Sequence, residues 1–155
     1  MDATLTLLCG LPGSGKSTWA AQHAEPDCIA SADAMRDGAD PRGVFAHVWR
    51  RAGARLRERR SVIVDVCALR PVDRMPALRM ARDFGVPAEL VVFCVPVARC
   101  MARNRRRSSP AAVDWRVYAT MARFMLTAVQ REPWARVRYV PRRDPEAFEL
   151  AGVKL

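Results

Sequence analysis

The sequence predicts an α/β domain built on a parallel sheet that is covered on both faces. Two observations carry this. Continuous apolar runs of strand length alternate with amphipathic helical segments, the pattern of strands buried on both sides. In addition, the first apolar run ends directly in a glycine-rich turn that opens a helix.

Taken in order, Thr4–Cys9 reads as a strand and the residues from about Lys16 to His23 as a helix. Cys28–Ala30 is a brief apolar piece. Within Arg42–Arg59, residues Val44, Phe45, Val48, Trp49, Ala52 and Leu56 fall on one helical face. Ser61–Asp65 is a second strong strand. Asp73 can then cap a helix that runs to Phe84 and stops at Gly85, which places Pro76 in the first turn, where its missing N–H costs little. Glu89–Val95 reads as a buried strand, and a helix from about Val97 leads into the basic turn Arg103–Pro110. A long helix follows, with Val113, Val117, Tyr118, Met121, Phe124 and Ala128 on one face, and Val137–Val140 is the last strand candidate. No repeat or internal linker interrupts the chain, so residues 1–155 read as one domain, with no role assigned after Pro141.

The totals narrow the classes. A chain of 155 residues, half of them hydrophobic, can bury a real core. No apolar run approaches the ~18 residues of a membrane span, and the N-terminus lacks the pattern of a secretory signal. Cys9, Cys28, Cys67, Cys94 and Cys100 form no CxxC pair, which argues for a reducing cytoplasm and against structural zinc. The formal charge of +10 favours polyanionic partners such as nucleic acids or phosphorylated metabolites. All but two of the 26 basic residues are arginine, however, and a merely solvated basic surface is the alternative.

The chemistry is concentrated in Gly10-Leu11-Pro12-Gly13-Ser14-Gly15-Lys16-Ser17, which fits the Walker A pattern in full. Glycines let consecutive backbone N–H groups point at phosphate oxygens, and the following helix adds the positive end of its dipole. The loop from Gly13 through Thr18 is therefore the expected site of a nucleoside triphosphate, ATP, with Lys16 reaching its β- and γ-phosphates. The Ser17 hydroxyl is an expected ligand of magnesium, and Asp65, at the end of its strand, can orient a water bound to that ion. A strand-terminal turn aspartate is the alternative reading of Asp65.

Asp33 and Arg36 follow the short second strand, at the sheet edge where ligands bind in open α/β folds. Asp33 can take the proton of an attacking hydroxyl and Arg36 can hold an anionic group on the acceptor. Asp33 would equally serve as the N-cap of a helix starting near Ala34. Residues from about 103 to 112, with four arginines between Arg103 and Arg107, suit a lid that closes over ATP; an exposed basic helix end is the alternative.

CGLPGSGKSTWA (Cys9–Ala20), SADAMR (Ser31–Arg36), VIVDVCALRPVDR (Val62–Arg74), FCVPVARCMARNRRR (Phe93–Arg107) and the helix after Pro110 occur in that order. Together they resemble the kinase module of the bacteriophage polynucleotide 5′-hydroxyl kinase group. The resemblance implies a P-loop fold with a five-stranded parallel sheet of order 2-3-1-4-5 and an arginine-bearing lid. It also implies that Lys16 and Ser17 serve ATP and magnesium and that Asp33 is the general base. Arg36 would contact the acceptor's phosphate, Arg107 would face the donor phosphates, and Arg103 would lie near the nucleotide. Two departures stand out: Cys67-Ala68 replace the Thr-Asn common in related kinases, and no DxDxT phosphatase signature is present.

The leading expectation is transfer of the ATP γ-phosphoryl group to a hydroxyl of a nucleic acid or nucleotide. A small-molecule kinase acting on a sugar, antibiotic or nucleotide sugar stays open, since the loop also resembles the zeta-toxin and chloramphenicol phosphotransferase groups. So do a nucleotide-dependent binding module without transfer and a basic nucleic-acid-binding domain with an incidental loop.

Overall fold

The computed structural model describes residues 3–33, 41–106 and 129–140. Within them the chain runs β1 (Leu5–Cys9), α1 (Lys16–His23), β2 (Ile29–Ser31), α2 (Pro41–Arg57), β3 (Val62–Asp65), α3 (Pro71–Phe84), β4 (Ala88–Phe93), α4 (Val97–Arg105) and β5 (Arg136–Val140), with short 3₁₀ turns at Pro26–Cys28 and Val129–Arg131. The five strands form one sheet in the order β2-β3-β1-β4-β5, every neighbouring pair parallel. This is the expected architecture. β1 and β3 are interior strands and buried along their whole length, which explains why all but Thr6 and Asp65 in them are apolar.

Side chains alternate across the sheet. Leu5, Leu7, Val62, Val64, Leu90 and Val92 meet α2 and α3 in the larger core cluster, together with Val48, Ala52, Leu56, Ala77 and Ala81. Leu8, Ile63, Val91 and Phe93 face the other way and pack with Ala20, Trp19 and Ala24 of the α1 region.

Two helical expectations are corrected. α3 begins two residues before Asp73, so Pro76 lies inside the helix rather than in its first turn. Asp73 is the third helical residue and reaches back: its carboxylate accepts hydrogen bonds from the Arg70 backbone N–H at 3.0 Å and from the Arg70 guanidinium at 2.8 and 3.0 Å. This satisfies an orphan donor from within the helix, a task the sequence reading had given to a cap before it. On α2, Val44, Val48, Ala52 and Leu56 are buried at a spacing of four, whereas Phe45 is 47% exposed. It lies one residue, about 100°, off that line; Trp49, one turn later, is half-buried against the core.

Candidate functional site

The phosphate-binding loop is built where β1 meets α1. Gly10 donates its backbone N–H to the Cys67 carbonyl at 3.0 Å, tying the start of the loop to the segment after β3. Gly13 and Gly15 have φ of +81° and +94°, left-handed conformations that favour glycine. Gly13 also admits close packing: a Cβ there would lie 2.5 Å from the Cys100 carbonyl oxygen of α4. Its neighbour Ser14 is buried, and its hydroxyl has no hydrogen-bond partner among the described residues. An orphaned buried hydroxyl inside a glycine-rich turn fits an oxyanion ligand.

Lys16 is buried and folds back over the loop, its Nζ donating to the carbonyls of Gly10 and Leu11 at 3.0 Å each. These bonds hold the ammonium at the mouth of the loop. Thr18, on the first turn of α1, is exposed.

Asp65 ends β3 as expected and is 5% exposed. Its Oδ2 accepts hydrogen bonds from Ser17 at 2.7 Å and from Ser31 at 3.2 Å. Ser31 had not been singled out from the sequence. It pairs in register with Asp65 across β2 and β3, a relation visible only once the strands are aligned. The Ser17 and Asp65 oxygens form a hard donor set that suits magnesium.

Ala32 donates its N–H to the Asp65 carbonyl at 3.2 Å, and the adjoining Asp33 is exposed just beyond the end of β2. The structure thus brings Asp33, Asp65 and the glycine-rich loop to the same edge of the sheet. Arg103 on α4 is exposed, and its Nη1 donates to the Gly13 carbonyl at 3.4 Å, so it lies against the loop. Arg36, Arg107, the remainder of the expected lid, the helix after Pro110 and the tail after Pro141 lie outside the described residues.

Beneath the site is a buried ion pair that the sequence did not announce. Arg74 is fully buried; its Nε and Nη2 donate to the Glu132 carboxylate at 2.8 Å, and its Nη1 donates to the Leu69 carbonyl at 2.7 Å and the Ala68 carbonyl at 3.3 Å. Glu132 also accepts from the Trp134 indole N–H at 2.8 Å. Arg74 thereby fixes the loop after β3, where Ala68 has a φ of +45°, a conformation costing an L-residue about 1–2 kcal/mol. Cys9 lies beside this arginine. Burial pushes its thiol up to about 12, against the opposing charges of Arg74 and Lys16. No disulfide joins any of the five cysteines.

A parallel sheet in the order β2-β3-β1-β4-β5, with a Walker A loop leaving its central strand, defines a P-loop, kinase-like nucleotide-binding fold. More particularly, the chain belongs to the family described as an AAA domain, whose model matches residues 5–131. The solved structures that share the fold include the following three. Kti12 from Chaetomium thermophilum, in complex with ADP-AlF3, is 17% identical with a TM-score of 0.67, covering 93% of this chain and 92% of its own. A kinase candidate from Chloroflexus aurantiacus is 16% identical with a TM-score of 0.65, covering 90% and 88%. A gluconokinase from Sinorhizobium meliloti 1021 is 18% identical with a TM-score of 0.58, covering 94% and 86%. At these identities the likeness is one of fold. Among the described residues no helix is long and apolar enough to cross a membrane.

Proposed function

We propose that this chain is an ATP- and magnesium-dependent phosphotransferase acting on an acceptor hydroxyl, the 5′-hydroxyl of a nucleic acid or nucleotide being the preferred acceptor. The observation that carries the reading is the Ser17–Asp65 contact at 2.7 Å, set beside the glycine-rich loop on the edge where Asp33 is exposed. Donor, metal and base chemistry then converge at one end of the sheet. Magnesium, when bound, neutralises charge on the phosphates.

In this reading the backbone from Gly13 to Thr18 binds the phosphates, and Lys16 exchanges its carbonyl partners for phosphate oxygens. Ser17 and Asp65 hold the metal. Asp33 accepts the proton of the acceptor hydroxyl as that oxygen bonds to the γ-phosphorus and the bond to the leaving ADP breaks. Arg36 holds the acceptor's phosphate. Arg103 and Arg107 balance the charge of the donor phosphates, and positioning supplies most of the acceleration. The ordered motif set and the charge of +10 support a nucleic-acid acceptor. Five cysteines with no disulfide among them suit a reducing compartment such as the cytoplasm, and we read residues 1–155 as one domain.

One observation favours a second reading, a small-molecule kinase. The segment after β3 carries Cys67 and Ala68 where related kinases commonly carry Thr-Asn, so polar side chains are missing at those two positions. Fewer polar side chains on the acceptor side lean away from a nucleic-acid acceptor.

The test is transfer of label from γ-labelled ATP, with magnesium, to three acceptor pools: 5′-hydroxyl oligonucleotides, nucleosides and nucleotides, and sugars with antibiotics. Asp33→Asn is the control. Label on oligonucleotide ends, lost in the variant, establishes the first reading. Label on a small molecule alone moves the assignment to the second. Nucleotide binding without transfer to any pool overturns both in favour of a binding module.

A further inference from the structure

Both faces of an all-parallel sheet are ordinarily covered and apolar. One face of this sheet departs from that rule halfway along its strands. Towards the loop end, Leu8, Ile63, Val91 and Phe93 are buried with Trp19, Ala20 and Ala24. α1 has only eight residues, about 12 Å. Towards the other end the same strands present Thr4 and Thr6 of the β1 region, Ser61 before β3, Glu89 of β4 and Arg138 of β5. Their positions alternate with the residues of the larger core, so they share one face.

The result is a groove of about 610 Å³, within the range that holds small ligands. At its upper wall the rings of Trp19 and His23 are stacked, with centroids 3.9 Å apart. Arg55 and Arg60 form a second wall. Arg55 is nine-tenths buried; its Nη1 pairs with Asp27 at 2.8 Å, and its Nε has no hydrogen-bond partner among the described residues. The side chain of Arg60 is 56% exposed and makes only long contacts with carboxylates, to Glu58 at 3.8 Å and Asp27 at 4.0 Å. Glu89, the one carboxylate among the described lining residues, is engaged by Arg138. Aromatic surface, hydroxyls and three guanidinium groups thus meet in one cavity, and Arg60 is the most weakly paired of the three.

We propose that this groove is a second ligand site, one that takes a nucleotide. The base lies against the Trp19–His23 pair, and the phosphate is held by Arg60 with the Thr4 and Ser61 hydroxyls nearby. The groove opens beside the first residues of β1, β3 and β4, whereas the Walker loop leaves the last residue of β1. One bound mononucleotide therefore does not fill both sites. The ligand is a free mononucleotide or one unit of a strand, and the site does not depend on phosphoryl transfer.

The test uses the full chain labelled with ¹⁵N, titrated with thymidine 5′-monophosphate and, in a second arm, with a thymidylate tetramer. Expected are amide shifts at Thr4, Thr6, Ser61 and Glu89 and at the Trp19 indole N–H, with affinity falling about fivefold in Arg60→Glu and in His23→Ala. Both variants change exposed side chains, and unchanged spectra elsewhere verify their folds. Saturation by the monophosphate identifies a free nucleotide as the ligand; response to the tetramer alone identifies a strand. Shifts confined to residues 10–17 and the Asp33 edge would overturn the proposal, as would affinity unaltered in both variants. Binding that emerges only after removal of residues 141–155 would also overturn it, assigning the groove to the chain's own tail.

Discussion

The Ser17 hydroxyl donates a 2.7 Å hydrogen bond to Asp65 Oδ2, joining the first turn of α1 to the end of β3 across 48 residues of sequence. The same carboxylate oxygen accepts from Ser31 at 3.2 Å, so a strand end, a helix start and an edge strand are anchored on one atom. If Asp65 helps to hold magnesium, Asp65→Asn weakens the metal roughly 10–100-fold. The half-saturating magnesium concentration in a transfer assay reads this directly. An unaltered magnesium dependence would remove Asp65 from the metal site.

Gly13→Ala is expected to be more damaging than its size suggests. The new Cβ would sit 2.5 Å from the Cys100 carbonyl oxygen, at a φ of +81° that an L-residue adopts at a cost of about 1 kcal/mol or more. Since the clash is with backbone, α4 must move, and Arg103 with it. Urea unfolding should show a loss of about 2 kcal/mol or more. Nucleotide affinity, measured by calorimetry, should fall as well.

Arg74→Met leaves Glu132 without its guanidinium in a site that is 9% exposed, and breaking such a buried pair costs about 3–5 kcal/mol. Replacing both residues, as Arg74→Met with Glu132→Met, should recover much of the loss, because no charge is then left uncompensated. Equilibrium unfolding of the two single variants and the double variant measures the coupling. Full additivity would mean that the pair contributes nothing beyond its separate parts.

Stability should fall as pH rises above 9. Burial lifts the Cys9 thiol to about 12 and the Cys94 thiol to about 11, from an ordinary value of 9.0. The folded chain therefore keeps protons that the unfolded chain releases, and the contribution is complete below pH 9 and is lost as pH climbs through the folded values. Between pH 8 and 10 each thiol should cost roughly 1 kcal/mol. Urea midpoints at the two pH values, compared with those of Cys9→Ala/Cys94→Ala, test the sign: the double variant should show the weaker dependence.

Local patterns made much of this molecule legible. The largely apolar runs of β1, β3 and β4 mark strands inside the sheet, and the Walker spacing fixes the loop by its own backbone demands. Asp65 was legible because it ends such a run. Ser31 was not, since a serine at the end of a three-residue strand carries no signal until β2 is aligned with β3. The start of α3 was misread because Asp73 suits two positions, before a helix or three residues inside it, and the local sequence satisfies both. Phe45 was misplaced because its spacing to Trp49 is helical while its own direction is not that of the buried line.

By itself, then, the sequence determined the α/β class, the phosphate-binding loop and the strand-end aspartates, since each depends on short-range periodicity or on backbone geometry within a few residues. Only the tertiary structure decided that Arg74 would be buried against Glu132, that the Cys100 carbonyl would pack on Gly13, and that half of one sheet face would be a basic groove. Those outcomes depend on the packing of segments tens of residues apart, where a charge is tolerated only if a distant partner and carbonyls arrive to meet it.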